Sequence, residues 1–272
     1  MAPRFSIIVV CLNPGDKFAD TIKSIQMQTC SDYEVIVKDG LSTDGALERF
    51  GALSEQFHVI RQQDNGIYDA MNQAVRETTG QYVYFLNCGD RFYTDTVLEK
   101  MAEVISAQEK NPNSSWIFYG NIFERVTSQR VSSNPALDDF GCYRNVPCHQ
   151  ACFYKRELLL QHPFETSYLV RADYEQFLWC YFKGNANPRY VDVLVCDYEG
   201  GGFSETGKNL KISEKEHQQI VKKYMTKGQI LKYRIIMTIT LAHFRTFLSR
   251  NEKTAGWYNR CKKMLYTGNK GK

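Results

Sequence analysis

The chain has 272 residues, 43% of them hydrophobic, and its 34 Lys and Arg against 30 Asp and Glu give a net charge of +4. That length can bury a sizeable core, as one large α/β domain with an appendage or as two small domains. The charge is mild, and no helix-turn-helix pattern or interleaved aromatic and basic RNA signature is present, which removes nucleic acid from the expected partners.

Taken in order, Phe5 to Cys11 is a β-branched run that reads as a buried parallel strand. Asn13-Pro14-Gly15-Asp16 breaks it, and Phe18, Ile22 and Ile25 recur at helical spacing, predicting a helix as far as Gln28. Tyr33 to Lys38 is the second strand and ends at Asp39-Gly40; Ser42 to Gly45 then supplies cap residues for a short helix through Phe50. His58 to Arg61 makes a third strand and Gln62 to Gly66 a polar loop. Ile67, Met71, Ala74 and Val75 mark a helix to Thr79 that Gly80 ends. Tyr82 to Leu86, too short for a helix and bounded by Gly80 and Gly89, reads as a central strand covered on both faces. This alternation of strand and helix is the doubly wound α/β pattern, with a mainly parallel sheet.

No Gly-x-Gly-x-x-Gly follows the first strand, no Gly-x-x-x-x-Gly-Lys-Ser/Thr occurs, and no Gly-x-Ser-x-Gly elbow appears. The dinucleotide fingerprint, the phosphate loop of nucleotide hydrolases and the α/β-hydrolase nucleophile are thereby excluded. Instead, polar residues recur where strands end: Asn13, Asp39, Asp64 with Asn65, and Asp90. Open α/β sheets bind ligands beyond the carboxyl ends of their strands, so these residues share one rim, with Asn87 and Cys88 beside Asp90 in reach of a substrate. Acidic groups gathered there repel one another and a phosphate unless a divalent cation or hydroxyl groups satisfy them. Taken alone, Asp90 could equally close a turn.

In this order, Phe5-Ser-Ile-Ile-Val-Val-Cys-Leu-Asn, Gln26-Met-Gln-Thr, Tyr33-Glu-Val-Ile-Val-Lys-Asp-Gly-Leu-Ser-Thr-Asp-Gly, Asp64-Asn-Gly-Ile-Tyr-Asp-Ala-Met-Asn and Phe85-Leu-Asn-Cys-Gly-Asp resemble the family 2 glycosyltransferases of GT-A fold. The match continues more loosely through Tyr119-Gly-Asn, His149-Gln-Ala, Ala172-Asp-Tyr-Glu and Gly201-Gly-Phe-Ser, which look like the later landmarks of the bacterial branch that builds surface polysaccharides. The resemblance implies a nucleotide-sugar donor, UDP by family habit, and a saccharide or lipid-linked saccharide acceptor. Asp39 matches the aspartate that contacts base or ribose, with Cys11 and Asn13 lining the same pocket. Asp64 and Gly66 match the loop that closes over the nucleotide; Asp44 and Asn72 fit a capping or bracing role equally well. Asp90 matches the last carboxylate of the DxD-type motif, which holds Mg²⁺ or Mn²⁺ against the diphosphate, whereas Asn87 and Gly89 replace acidic neighbours and leave a single carboxylate.

An acceptor hydroxyl must lose its proton as it attacks the anomeric carbon, which calls for a carboxylate opposite the leaving group. The later acidic motif of the family aligns with Asp173, at the start of a helix predicted over Ala172 to Lys183. Its competitor Glu175 points about 200° away around the helix, so the two do not share one cleft. Direct attack assisted by such a base inverts the anomeric centre, and no second nucleophile for retention stands out.

Thr96 to Gln108 is predicted as an amphipathic helix, Trp116 to Asn121 as a strand, Ile122 to Val131 as an edge ribbon and Arg189 to Cys196 as another strand. Ser132 to Pro147 lacks periodicity and reads as a loop on the acceptor side. His149 is a candidate for phosphate or acceptor contact, or for a core position; Gly201 and Gly202 belong to a flexible loop that can close on the diphosphate. Cys142, Cys148, His149 and Cys152 raise the question of zinc, but with no Cys-x-x-Cys pair they read as ordinary thiols. The odd total of nine cysteines and an apolar start too short for a leader point to reduced thiols in the cytoplasm.

Residues 1–210 are expected to form the catalytic domain and 211–272 a Lys-rich helical extension. Within it, Ile230 to Leu248 reads as a basic amphipathic helix, too short in its uncharged core to span a bilayer. It suits packing on the domain, a homodimer contact or the inner face of a membrane. Two other classes stay open: a sugar nucleotidyltransferase, which should carry a Gly-rich basic loop where Cys11-Leu12-Asn13-Pro14 stands, and a non-catalytic carbohydrate- or nucleotide-binding protein on the same fold.

Overall fold

The computed structural model describes residues 2–50, 55–108, 114–200, 207–240 and 254. Its first part runs β1 (Phe5–Cys11), α1 (Lys17–Gln26), β2 (Tyr33–Asp39), α2 (Ala46–Phe50), β3 (Phe57–Arg61), α3 (Ile67–Glu77) and β4 (Tyr82–Phe85). The middle is β5 (Arg91–Phe92), α4 (Val97–Gln108), β6 (Trp116–Glu124), β7 (Gln129–Val131), α5 (Asp139–Arg144), a 3-10 turn at His149–Ala151 and β8 (Cys152–Lys155). The last part is α6 (Arg156–Gln161), α7 (Ala172–Phe182), β9 (Asn187–Tyr198), α8 (Gly207–Tyr224) and α9 (Lys227–Ile239).

The described strands form one sheet in the order β3-β2-β1-β4-β8-β6-β9-β5, with β7 on β6. β1 is buried along its whole length because it lies between β2 and β4, parallel to both. Its alternate residues serve opposite faces, as a strand requires. Phe5, Ile7 and Val9 pack with Phe18, Ile22 and Ile25 of α1 and with Met101 and Ile105 of α4. Ile8 and Val10 pack with Ala70, Met71 and Ala74 of α3, Leu158 of α6 and Phe177 of α7. A third cluster joins Cys142 of α5, Tyr174 and Leu178 of α7, Ile220 and Val221 of α8, and Tyr233 of α9. The helices after residue 206 therefore pack on the body of the fold through α5 and α7.

The parallel arrangement is limited to β3-β2-β1-β4 and the pair β6-β9; β8 runs antiparallel to both β4 and β6, and β5 antiparallel to β9. The expected edge ribbon is present as the β6-β7 pair, with Ile122 opposite Val131. Several boundaries differ from the sequence expectation. α1 stops at Gln26 rather than Gln28, and α3 at Glu77, where Thr78 turns extended and its hydroxyl donates to Val75 O at 2.7 Å. The stretch expected to be irregular, Ser132 to Pro147, contains α5, whose N-cap Asp138 accepts from Gly141 N at 2.7 Å. Of the helix expected over Ile230 to Leu248, the described residues reach Thr240.

Candidate functional site

Parallel register sets Cys11 of β1 level with Asp39 of β2, and the carboxyl ends of β1, β2, β3 and β4 open on one edge. A cleft of about 340 Å³ lies there, lined by Cys11, Leu12, Asn13, Lys17, Ile67, Asn87 and Cys88 among others. Cys11, Asn13, Asn87 and Cys88 are thus brought together as the strand ends suggest. Asn13 adopts φ 49° and is held from both sides: its N–H donates to Ser42 Oγ at 2.8 Å, and its Oδ1 accepts from Thr43 N at 2.9 Å.

Asp39 and Asp64 shape this rim without projecting loose carboxylates. Asp39 is fully buried; its oxygens accept from Ser42 N and Ser42 Oγ and from Arg61 Nε at 3.0 Å. Lys38, also fully buried, donates to Gln62 O at 2.6 Å and to Asp64 Oδ2 at 2.8 Å. The other Asp64 oxygen accepts from Gly66 N at 3.2 Å. Lys38 thus ties the loop after β3 to the sheet, a role that sequence reading missed. Its signal is a lysine inside an otherwise apolar buried run. Gly66 itself has φ 114° and ψ 174°, a conformation essentially confined to glycine, and it starts α3. Of the two alternatives left open for Asp44 and Asn72, their contacts are those of bracing: Asp44 accepts from Gly15 N and Ala46 N, and Asn72 clamps both backbone groups of Phe164.

Asp90 is almost fully buried, and burial pushes its carboxyl up to about 7 against the pull of the Glu199 N–H, of Arg125 and of the Gln150 side chain. Glu199 N donates to Asp90 Oδ1 at 2.8 Å, and the Glu199 carboxylate pairs with Lys17 at 2.7 Å. Gly89, with φ 103°, lies so close beneath the Glu199 carboxylate that a Cβ there would overlap Glu199 Oε2. The carbonyl oxygen of the Asn87 side chain is buried with no hydrogen-bond partner among the described residues, and the Asn87 main-chain carbonyl accepts from Asp90 N at 3.0 Å. The Cys88 thiol is held well above its ordinary value, chiefly by its hydrogen bond with Cys11 and by burial, so Cys88 packs as a neutral thiol.

Asp173 occupies the first turn of α7, where its Oδ1 accepts from Tyr174 N at 2.8 Å and lies 3.1 Å from the Tyr68 hydroxyl. Tyr68 belongs to α3, directly after the loop of Asp64 and Gly66, and its hydroxyl is also 2.8 Å from Val170 O. Glu175 is in a different place: fully buried, it is bound by Lys223 at 2.6 Å, by His162 at 2.9 Å and by the Tyr224 hydroxyl. These groups outweigh the cost of burial and hold its carboxyl below the ordinary range, which makes Glu175 an anchor for α8. His149 is buried against Phe85 and Phe164, and neither ring nitrogen has a hydrogen-bond partner among the described residues. Burial lowers its pKa, with Asp173 acting in the opposite sense. Gly201 and Gly202 lie outside the described residues.

The family model for Glycosyl transferase family 2 matches residues 6–160. Over 211 residues the chain is 36% identical to a PGL/p-HBAD biosynthesis glycosyltransferase of Mycobacterium tuberculosis, covering 75% of this chain and 80% of that protein. Among solved structures, Staphylococcus aureus TarS 1-349 in complex with UDP-GlcNAc superposes with a TM-score of 0.65 at 17% identity, covering 91% of this chain and 74% of that one. A mannosyltransferase from Pyrobaculum calidifontis in complex with GDP-Man and Mn²⁺ gives 0.56 at 14% identity, with 95% and 84% covered. The extent of the family match and of the mycobacterial identity, on a sheet whose strand ends converge as described, makes the chain a family 2 glycosyltransferase of GT-A fold.

Proposed function

We propose that the protein is an inverting transferase that moves a sugar from UDP to a hydroxyl of a saccharide or lipid-linked saccharide during surface glycan synthesis, on the cytoplasmic side of the membrane. The observation that carries this reading is that two carboxylates have separate surroundings: Asp90 almost fully buried beyond the end of β4, and Asp173 held on α7 by Tyr174 N and 3.1 Å from the Tyr68 hydroxyl. The UDP-GlcNAc complex of TarS and the glycolipid-related name of the mycobacterial relative support UDP and a lipid-linked acceptor.

In this reading the cleft of Cys11, Asn13, Asn87 and Cys88 takes the nucleotide, and Asp39, Asp64 and Gly66 shape its wall and loop. Asp90, the orphaned Asn87 oxygen and the diphosphate itself fit a divalent cation that arrives with the donor: one buried carboxylate is too small a set for a resident ion. When bound, Mg²⁺ or Mn²⁺ supplies Lewis-acid neutralisation of the leaving diphosphate. Asp173 accepts the proton of the acceptor hydroxyl as its oxygen attacks the anomeric carbon from the face opposite UDP, and the configuration inverts. Lys17, at the start of α1 and lining the cleft, adds positive charge towards the phosphates.

Calorimetric titration with UDP, GDP and dTDP, with and without Mn²⁺, tests the donor half. Metal-dependent binding of UDP that Asp90→Ala abolishes is expected, and failure of every nucleotide to bind folded protein would overturn it. Asp173→Asn should bind UDP as wild type does and lose turnover with the sugar nucleotide; retained turnover would remove Asp173 as the base.

A further inference from the structure

We propose that the outward face of α9 is a docking surface for an anionic lipid bilayer. At 100° per residue, Leu231, Ile235 and Ile239 fall on one stripe about 80° wide along the helix, about 120–160° around from Tyr233, which is buried. The three are 59%, 50% and 75% exposed, a continuous apolar strip on a helix whose other side is already packed. Lys227 and Arg234 flank the stripe on one side and Lys232 on the other, all exposed. α9 contains no acidic residue, and no carboxylate among the described residues pairs with these three cations.

Charge decides among the occupants. A second copy meeting this face across a two-fold axis would bring Lys and Arg against Lys and Arg. An apolar strip bordered by cations on a flat helix surface suits an anionic interface, where the strip enters the acyl boundary and each cation near the headgroups strengthens binding about fivefold. No helix of the described residues is long and apolar enough to cross a membrane, so this contact is peripheral.

The helix is joined to the fold through its first turn and its buried tyrosine. Thr226 and Gln229 form a reciprocal cap at its start, Gln229 Nε2 donates to Asp139 Oδ2 at 3.2 Å, and the Tyr233 ring packs 5.4 Å from both Phe140 and Tyr143 of α5. α5 is tied in turn to α7 by the Tyr174 hydroxyl, which donates to Cys142 O at 2.7 Å, one residue from Asp173. A bilayer held by α9 is thereby held at a set position relative to Asp173, which suits a lipid-linked acceptor. Only this purpose rests on the proposed transferase reading.

Flotation of the full chain with phosphatidylcholine vesicles, with and without phosphatidylglycerol, tests the surface with no donor present. Binding to the anionic vesicles alone is expected, weakened by salt. It should fall at least tenfold in Leu231→Ser/Ile235→Ser/Ile239→Ser and in Lys232→Glu/Arg234→Glu, while UDP binding and melting temperature stay at wild-type values. The charge variant leaves the apolar strip intact and keeps the test valid if the serine variant does not fold. No flotation of the wild type, equal flotation of the charge variant, or a dimer that the serine variant dissociates would each overturn the proposal. Loss of UDP binding in the wild type would instead sink the donor site and leave this result standing.

Discussion

The Tyr68 hydroxyl stands 3.1 Å from Asp173 Oδ1, so the helix that follows the loop of Asp64 and Gly66 reaches the helix that carries the proposed base. In the proposed reading the contact couples donor side and acceptor side through one side chain. Tyr68→Phe removes the hydroxyl and leaves the ring packed near Phe164, 5.7 Å away. A lost hydrogen bond to a charged group, about 1.5–3 kcal/mol, should lower kcat roughly tenfold or more and leave the KM for the donor unchanged. Steady-state kinetics of Tyr68→Phe check this, and an unchanged kcat would show that Asp173 does not need the contact.

Lys38 offers a second probe of the donor loop. Its ammonium is fully buried and meets Asp64, whose side chain is 12% exposed. Lys38→Met keeps the length of the side chain and strands Asp64 without its cation. Breaking one side of a buried pair costs about 3–5 kcal/mol, so the variant should melt well below wild type and bind UDP more weakly. Thermal unfolding and calorimetry together measure both effects.

Much of this could be read from the chain because β1, β2 and β4 are buried on both faces and appear as largely apolar runs closed by polar residues, whereas the edge strand β3 is short and mostly exposed. That pattern sets Asn13, Asp39, Asp64 and Asp90 after the ends of successive strands. What it cannot give is how the carboxylates are spent. Asp39 is saturated by Ser42 and by Arg61, the latter 22 positions on, and Lys38 meets Asp64 26 positions on; such partners are set by strand register. β5 and β8 escape because two and four residues are too few to show a period. α5 escapes because six residues are too few to show a helical period, although Phe140, Cys142 and Tyr143 pack in the third cluster.

Gly66→Ala isolates backbone strain in the loop proposed to close over the nucleotide. No atom lies within 4 Å of the Cβ it would add, so the cost is conformational and arises from φ 114°. Strain of about 1–3 kcal/mol is expected to displace the loop and raise the Kd for UDP about tenfold, with the core and its far-ultraviolet dichroism unchanged. A wild-type Kd would show that the loop does not close on the donor.

His149 gives the pH dependence of the fold a definite sign. Burial holds its pKa below the ordinary value, so the ring is neutral in the folded chain while the unfolded chain takes up a proton at about pH 6.5 and below. The unfolded state then binds more protons, and stability falls as the pH drops through 6.5 towards the lowered folded value, by up to about 1.4 kcal/mol per pH unit for one group. His217, also lowered by burial, adds in the same direction. His149→Phe removes one of these protons and both orphaned nitrogens, and places a third phenyl ring beside Phe85 and Phe164. Denaturant unfolding at pH 7 and pH 5.5 should show the variant more stable at both, by about 1–3 kcal/mol at neutral pH, and with a shallower loss on acidification. Equal losses for the two proteins would mean that His149 is not the acid-labile group. If activity falls in this more stable variant, the orphaned ring is a substrate contact; if activity is kept, its place is in the core.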